Sequence, residues 1–174
     1  MAGAVDKDPN YWVLCIDDDP FLRLGLDSAL SQTRDIEFSS AASKADGMQV
    51  FVEMWNRSRE DIKRKPSLIL LDQDLQGGEK GTDLLSEIID FCGGTPEDAV
   101  KVCMLSASQQ QRDWGKAFEL GAIGWIDKAA VTDLDKFPGR LRDIINNRQV
   151  EWEGSQAQYI MRVQQNRDQR PVLT

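Results

Sequence analysis

Four short apolar segments of this chain each lead directly into a polar residue, and this pattern limits the folds open to the chain. A short apolar run with a polar end is typical of a buried strand in a parallel sheet, which carries one side chain to the sheet edge. The segments are Val13–Ile16 before Asp17, Asp18 and Asp19, Leu68–Leu71 before Asp72, Val102–Leu105 before Ser106, and Gly124–Asp127 before Lys128. Because these acids, the hydroxyl and the amine all follow strand-like runs, the segments predict one shared pocket.

Helical patterns separate the apolar segments. Leucines recur at helical spacing after Pro20, and Ser43 with Asp46 three residues later resembles a capping box that opens a second helix. Three further helices and one further strand are predicted from apolar spacing: Leu84–Ile89, Trp114–Leu120, a helix capped by Thr132 that carries Leu134–Ile145, and the strand Ile36–Ala41. Five strands alternating with five helices predict an α/β fold, a doubly wound five-stranded parallel sheet with helices on both faces.

The predicted pocket has the groups that phosphoryl transfer to a carboxylate needs. The carboxyl ends of parallel strands joined by right-handed crossovers lie at one edge of the sheet, where ligands bind. Clustered carboxylates repel one another unless a cation lies among them, and Mg2+ prefers oxygen ligands. We therefore predict that Asp18 and Asp72 bind Mg2+ directly and that Asp17 holds a coordinated water. Asp72 is also the predicted nucleophile, because a carboxylate can form an acyl phosphate, and Lys128 and Ser106 would contact the phosphoryl oxygens.

The composition of the chain argues against several other classes of function. A chain of 174 residues with 41% apolar residues forms one domain of ordinary size, and a net charge of −8 argues against non-specific nucleic-acid binding. No apolar run approaches the roughly 20 residues that cross a membrane, so no membrane segment is predicted. The three cysteines, Cys15, Cys92 and Cys103, indicate reduced thiols and a cytoplasmic location. The chain has no histidine, so any phosphohistidine must belong to a partner.

Jointly, the motifs resemble those of a response-regulator receiver domain of two-component signalling. The matching segments occur in the family's order: Ile16–Pro20, Leu70–Asp72, Leu105–Ala107 and Gly121–Lys128. The resemblance covers about Tyr11 to Asn147 and implies a flavodoxin-like, receiver-type fold. It also implies that a histidine kinase or phosphotransfer protein passes a phosphoryl group to Asp72 in the presence of Mg2+. Such a domain is not an enzyme in the ordinary sense, since it catalyses only its own phosphorylation and dephosphorylation.

The same resemblance assigns further roles. It implies that the backbone carbonyl of Asp74 completes the metal site. Trp125 lies where the family places an aromatic side chain that moves inward when the hydroxyl residue, here Ser106, engages the phosphoryl group. The implied output surface is the face formed by the fourth helix, the fifth strand and the fifth helix, through which a homodimer would form.

Three parts are predicted along the chain: an N-terminal extension (1–10), the receiver domain (11–148) and a C-terminal linker or tail (149–174). The tail, which ends in Pro171–Thr174, resembles the linker of LuxR-type transcriptional regulators, which precedes an effector domain that often begins Leu-Thr. DNA would then be contacted only through an effector domain that is not present in this chain. A stand-alone regulator with a protein-binding tail is the other interpretation.

Three departures from the family pattern bear on these expectations. The loop from Asp72 to Gly81 is one residue longer than usual, with Gln76 where a proline is common. Ala129 replaces the proline whose cis bond follows the lysine in the family, so we expect a trans bond or a rearranged loop, because a non-proline cis bond costs about 3 kcal/mol. Trp125 is bulkier than the usual tyrosine or phenylalanine and is expected to fit inward with difficulty.

Two alternatives belong to other functional classes. Asp72 and Asp74 match the Asp-x-Asp motif of haloacid-dehalogenase-type phosphatases, but in that family the remaining acids follow the motif, whereas here the acid run precedes it. The stronger alternative is a pseudo-receiver, a protein-interaction module regulated without phosphorylation, which the altered junction after Lys128 would allow. A test of phosphorylation in the presence of Mg2+ separates this module from a phosphoacceptor.

Overall fold

The structure, a computed structural model, describes residues 10–60, 66–93, 100–107 and 111–146. Within them, strands and helices alternate as the sequence predicts. The strands are β1 (Tyr11–Ile16), β2 (Ile36–Ala41), β3 (Leu68–Asp72), β4 (Val102–Ser106) and β5 (Gly124–Asp127). The helices are α1 (Pro20–Leu30), α2 (Lys44–Glu60), α3 (Gly81–Phe91), α4 (Gln111–Glu119) and α5 (Phe137–Ile145). The bounds of β2 are the predicted ones, and the other strands differ by one or two residues at their ends.

All five strands pair in parallel, in the order β2-β1-β3-β4-β5. The order reverses direction at β1 and β3, which is where ligands bind in sheets of this kind. In register, Ile16 of β1 lies beside Leu71 of β3, and Asp72 lies beside Leu105 of β4. The predicted doubly wound α/β fold is confirmed, and the polar strand ends lie at one edge of the sheet.

Apolar cores lie on both faces of the sheet. On one face, strand residues such as Leu14 and Leu71 belong to a buried cluster with residues of α2, α3 and α4, among them Phe51. On the other face, Val13 and Leu70 belong to a buried cluster with residues of α1 and α5. Because successive strand residues point to opposite faces and both faces are covered, the strands require near-continuous apolar runs. This requirement explains why the runs are visible in the sequence.

Side-chain caps fix the starts of α1 and α2. Asp19 caps α1, and its Oδ1 accepts hydrogen bonds from the backbone N–H groups of Phe21 at 2.9 Å and Leu22 at 3.3 Å. The predicted capping box opens α2: the N–H of Asp46 donates to Ser43 Oγ at 3.1 Å, and the Ser43 hydroxyl donates to Asp46 Oδ2 at 2.8 Å. The acid segment after β1 is therefore bounded by a buried strand and a capped helix.

The segment after β5 differs from the prediction. Thr132 does not cap a helix, because it lies at the end of a short 3-10 helix, Lys128–Thr132, and α5 begins only at Phe137. Asp127 caps this segment instead, and its Oδ1 accepts the N–H of Ala129 at 2.8 Å. A proline at position 129 could not donate that bond. The described residues contain no cis peptide bond, so the bond between Lys128 and Ala129 is trans, as expected.

Some expectations lie outside the described residues. These are the N-terminal extension up to residue 9 and the linker or tail from residue 147 onward. Of the helices that the structure describes, none combines the length and the apolar character needed to cross a membrane.

Gly47 allows α2 to approach β1 closely. A Cβ atom at this position would lie 2.7 Å from Ile16 Cδ1 and 2.9 Å from its Cγ2, and Ile16 is fully buried. We expect Gly47→Ala to lower the free energy of unfolding by about 1–3 kcal/mol, because overpacking forces the buried side chain or the helix to shift. Denaturation with urea measures this change.

Gly139 in α5 provides the matched control, because a Cβ atom there would meet nothing within 4 Å. Gly139→Ala should raise the free energy of unfolding by about 0.5–1 kcal/mol, through helix propensity and a less flexible unfolded chain. Equal effects of the two substitutions would contradict the packing argument.

Candidate functional site

Three carboxylates meet where β1 and β3 end. Asp17 and Asp18 follow β1 directly, and Asp72 is the last residue of β3. One carboxylate oxygen from each residue lies within 4.8 Å of those of the other two. Asp17 and Asp72 are buried, whereas Asp18 is half-buried. The structure therefore brings together the three acids that the sequence predicted, and of these Asp18 has the most access to solvent.

Lys128 supplies a positive charge to this cluster. It follows β5, and its Nζ lies 2.7 Å from Asp72 Oδ2. The same atom donates a hydrogen bond to Asp17 Oδ1 at 3.0 Å and lies 2.9 Å from Asp17 Oδ2. The contact between Lys128 Nζ and Asp17 Oδ2 is an ion pair without a hydrogen bond, since that oxygen accepts no hydrogen bond from the described residues. One ammonium group thus bridges two buried carboxylates from different strands.

Burial dominates the titration of these groups. Burial, with a smaller contribution from the charge of Asp17, raises the pKa of Asp72 to about 6, although the hydrogen bond from Lys128 opposes the change. Burial likewise raises the pKa of Asp17. Burial disfavours the charged form of Lys128, but its hydrogen bonds to the two carboxylates outweigh this effect and raise its pKa. The cluster thus keeps its lysine charged while its acids resist ionisation.

The donor set fits a hard divalent cation. Three carboxylates and one ammonium group, when all are ionised, give three negative charges and one positive, a net charge of −2. The buried Asp17 Oδ2 accepts no hydrogen bond from the described residues and is balanced by its charge contact with Lys128. Carboxylate oxygens supplemented by water are the ligands that Mg2+ and similar ions bind.

The loop after β3 forms a small hairpin beside the acids. The N–H of Asp74 donates to Asp72 Oδ1 at 3.3 Å, and the Asp74 side chain forms an ion pair with Lys80. Asp74 and Lys80 also form an isolated antiparallel bridge. At the tip, Gly77 and Gly78 have positive φ angles of 75° and 81°, a region that favours glycine.

Gly81, the first residue of α3, brings that helix against the backbone of Asp72. A Cβ atom at Gly81 would lie 2.0 Å from the carbonyl oxygen of Asp72, so a larger residue cannot occupy this position without a shift of the backbone. The N–H of Gly81 donates to the carbonyl of Gln73 at 2.9 Å. The start of α3 therefore fixes the end of β3. A lone glycine where a helical pattern begins was the available signal for this contact.

Ser106 and Trp125 belong to β4 and β5, the two strands that follow β3 in the sheet order. Ser106 ends β4, next to β3, and is buried. Trp125 is 5% exposed and belongs to the core cluster on the side of α2, α3 and α4, together with the small residues Ala117 and Ala122. The indole is thus buried in the core cluster on this side of the sheet.

Two further polar side chains at the site were not identified from the sequence. The guanidinium of Arg23, in the first turn of α1, donates to the backbone carbonyl of Asp17. Gln73, which follows Asp72, is 2% exposed, and its Oε1 accepts no hydrogen bond from the described residues. The sequence carried only weak signals for these two residues. Arg23 lies early in the helix after the acid run, and Gln73 is a polar residue directly after a buried strand.

A parallel sheet of this order, with acids and a lysine at its carboxyl edge, defines a receiver-type signalling domain. The model of the response regulator receiver domain family matches residues 13–136, and the chain belongs to that family. It is thus a receiver domain of the two-component response regulators, as the resemblance of its motifs implied. No curated protein matches the sequence.

Solved structures share the fold at low sequence identity. A LuxR-family two-component response regulator from Aurantimonas sp. SI85-9A1 is 20% identical, with 88% of this chain and 96% of that chain covered and a TM-score of 0.61. A CheY-like receiver domain protein from Methanospirillum hungatei JF-1 is 18% identical, with coverages of 79% and 94% and a TM-score of 0.59. The Mn(2+)-bound form of response regulator Rcp1 is 21% identical, with coverages of 76% and 92% and a TM-score of 0.58.

The raised pKa of Asp72 makes stability depend on pH. Because this pKa rises from 3.8 to about 6, the folded protein binds more protons than the unfolded chain between these values, and the free energy of unfolding falls as pH rises through them. In the presence of a chelator, Asp72→Asn should be more stable than the wild type at pH 7 by on the order of 2–3 kcal/mol. Urea denaturation from pH 4 to pH 7 measures this difference, which should shrink toward pH 4. A difference that stays constant across the range would contradict the assignment.

Proposed function

We propose that this receiver domain accepts a phosphoryl group on Asp72 from a histidine kinase or phosphotransfer protein, with Mg2+ bound beside it. The observation that carries the proposal is the bridge of Lys128 between the buried carboxylates of Asp17 and Asp72, next to Asp18. Buried charges in excess of their partners are costly to a fold and are typical of functional sites. Here the excess is negative, which suits a cation that then attracts an anionic phosphoryl group.

The metal would be held by oxygen atoms from both strand ends. Asp18 and Asp72 would bind it through their carboxylates, Asp74 through its backbone carbonyl, and Asp17 through a water. When bound, Mg2+ neutralises charge on the phosphoryl oxygens. The ion pair between Asp74 and Lys80 supports this assignment, because it engages the Asp74 carboxylate and leaves its carbonyl as the ligand. The Mn(2+)-bound form of Rcp1, which shares the fold, agrees with a divalent ion in such a domain.

Asp72 would be the nucleophile. Its carboxylate oxygen forms a bond to phosphorus while the bond from phosphorus to the partner's imidazole nitrogen breaks, which leaves an acyl phosphate on Asp72. With a pKa of about 6, Asp72 is mostly ionised at neutral pH and can attack. Lys128, already 2.7 Å from this carboxylate, would pair with one phosphoryl oxygen, and the Ser106 hydroxyl would donate a hydrogen bond to another. The phosphorylated histidine must come from the partner, since this chain has none.

Phosphorylation by a small phosphodonor tests the proposal directly. Incubation with acetyl phosphate and Mg2+ should add one phosphoryl group per chain, detected by intact-protein mass spectrometry. Asp72→Asn should carry no adduct, because it lacks the nucleophilic carboxylate. Asp18→Ala should also carry none at millimolar Mg2+, because it removes a proposed metal ligand.

Asp74→Asn is the control for this experiment. It retains the backbone carbonyl that would bind the metal and changes only an exposed side chain. We therefore expect it to be phosphorylated. An adduct that persists in Asp72→Asn would show that another residue is the acceptor. A wild-type protein that gains no adduct would favour the alternative, a pseudo-receiver interaction module regulated without phosphorylation.

The output surface belongs to the same proposal. Ser106 and Trp125 lie on adjacent strands, and the face that would carry the signal comprises α4, β5 and α5. Movement of the Ser106 hydroxyl toward the phosphoryl group would change the space available to the indole of Trp125. A ligand shifts an equilibrium between two conformations only through such a difference in contacts. We propose that a homodimer forms through this face when Asp72 is phosphorylated.

Tryptophan emission and sedimentation test this coupling. Beryllofluoride with Mg2+, a mimic of the phosphoryl group, should change the emission of Trp125 and raise the fraction of dimer. Because the chain has five tryptophans, the change is assigned by its loss in Trp125→Phe. If neither signal responds while Asp72 is phosphorylated under the same conditions, the proposed switch is wrong.

The place of the domain in the cell is also part of the proposal. Cys15, Cys92 and Cys103 form no disulfide within the residues that the structure describes, which agrees with a cytoplasmic location. We propose that residues 149–174 link the receiver domain to an effector domain of the LuxR type, through which DNA would be contacted. The support is the sequence Pro171–Thr174 together with the LuxR-family structure that shares the fold.

A further inference from the structure

Arg23 contacts the acid segment from the α1 side. It lies in the first turn of α1, is half-buried, and donates through Nη1 to the backbone carbonyl of Asp17. Its backbone N–H donates to the carbonyl of Asp19 at 3.2 Å, within the capped start of the helix. The side chain therefore ties the helix back to the residue at which β1 ends, across the short turn that contains Asp18.

Asp17 is held at nearly all of its polar atoms. Its N–H donates to the carbonyl of Ala41 at 3.1 Å, and its carbonyl accepts from Arg23. Its Oδ1 accepts from the N–H of Asp19 at 2.9 Å and from Lys128 at 3.0 Å. Oδ2 is the polar atom left without a hydrogen bond from the described residues. Together with the charge contact of Oδ2 with Lys128 at 2.9 Å, the network fixes the Asp17 carboxylate within the acid cluster.

We infer that Arg23 is a positioning residue for the metal site, which holds the turn of Asp17 and Asp18 in the conformation that faces Asp72. The inference rests on the function proposed above. Two adjacent acids opposite a third repel it, and this repulsion favours a turn that splays away from β3. The guanidinium opposes that movement by fixing the carbonyl of Asp17. The binding cation then meets ligands already in place and loses less free energy to ordering them.

The positive charge of Arg23 would weaken Mg2+ binding, whereas its positioning role would strengthen it. A guanidinium near the cluster repels Mg2+, so if charge alone mattered, removal of Arg23 would strengthen Mg2+ binding. If positioning dominates, removal weakens binding. The sign of the change therefore separates the two roles.

Arg23→Met removes both the donor and the charge while it retains most of the apolar stem. We expect its dissociation constant for Mg2+, measured by calorimetric titration at pH 7.5, to rise about five- to tenfold, in line with the net contribution of one hydrogen bond. Arg23→Lys retains a charged donor and should restore binding to within about twofold of the wild type. Thermal midpoints in a chelator should differ little between the two variants, since a merely structural role would lower stability in proportion to the loss of binding.

Arg34→Met is the matched control. Arg34 is exposed in the turn before β2 and makes no hydrogen bond or ion pair in the part of the chain that the structure describes, so its removal should leave Mg2+ binding unchanged. If Arg23→Met does not fold, Arg23→Gln replaces it. The amide of glutamine is two bonds shorter than the guanidinium and cannot span the same distance, so the same weakening is expected.

The outcomes distinguish this inference from the proposed function. Wild-type protein that binds no Mg2+ overturns the proposed metal site and the positioning role together. Wild-type binding with unchanged or tighter binding in Arg23→Met overturns the positioning role alone. Two further outcomes also overturn the positioning role. In the first, Arg23→Met binds Mg2+ more weakly but Arg23→Lys does not restore binding. In the second, the thermal midpoint of Arg23→Met falls in proportion to its loss of binding, which would indicate a general loss of structure. Weaker binding at an unchanged midpoint, restored by lysine, supports it.

Discussion

One ammonium group holds the functional edge of this protein together. Lys128 lies against the carboxylates of both Asp17 and Asp72, which would otherwise face each other in a poorly solvated space. Without it, burial and mutual repulsion would drive these acids toward their neutral forms, which neither bind a cation nor attack phosphorus. Lys128 reaches them from β5 across the end of β4, so the charge balance depends on the strand order. The strand order of the sheet therefore determines which charged groups meet at its edge.

The site gains its precision from the ends of regular elements. β1, β3 and β5 deliver the acids and the lysine, and the surrounding backbone is fixed from several directions. Gly81 at the start of α3 meets the carbonyl of Asp72, and Asp19 caps α1 on the opposite side of the acids. Groups carried by packed strands and helix ends are held more tightly than groups carried by long loops. This arrangement suits the phosphoryl transfer proposed for the site.

Much of the fold could be predicted because its signals are local. The apolar runs, the β2 bounds and the capping box of Ser43 and Asp46 each depend on residues close together in the sequence, and the structure has all of them. The predicted Thr132 cap was wrong because the 3-10 helix Lys128–Thr132, capped by Asp127, occupies this segment and α5 begins only at Phe137. The acids and the lysine could be brought together from topology alone.

Other parts of the site depend on distances that no pattern encodes. The contact of Arg23 with a carbonyl, the close approach of Gly81 and the buried amide of Gln73 follow from how helices settle on the sheet. Whether Trp125 can lie inside depends in the same way on the volume of neighbours from other elements. The roles of the site residues and the nature of the tail beyond residue 147 stay predictions.

The hairpin after β3 makes this region attractive for protein engineering. At Gly77 and Gly78 a Cβ atom would meet nothing within 4 Å, but their positive φ angles favour glycine, so the exposed neighbours Gln76 and Glu79 are the sites for attachment. Gly81, a short distance along the chain, tolerates no added atom. A dye or a short peptide attached at Gln76 or Glu79 would therefore be close in sequence to Asp72, the proposed phosphoacceptor, without pressing on α3. The same loop thus has an exposed turn that can carry a sensor, followed at Gly81 by a tightly packed helix start.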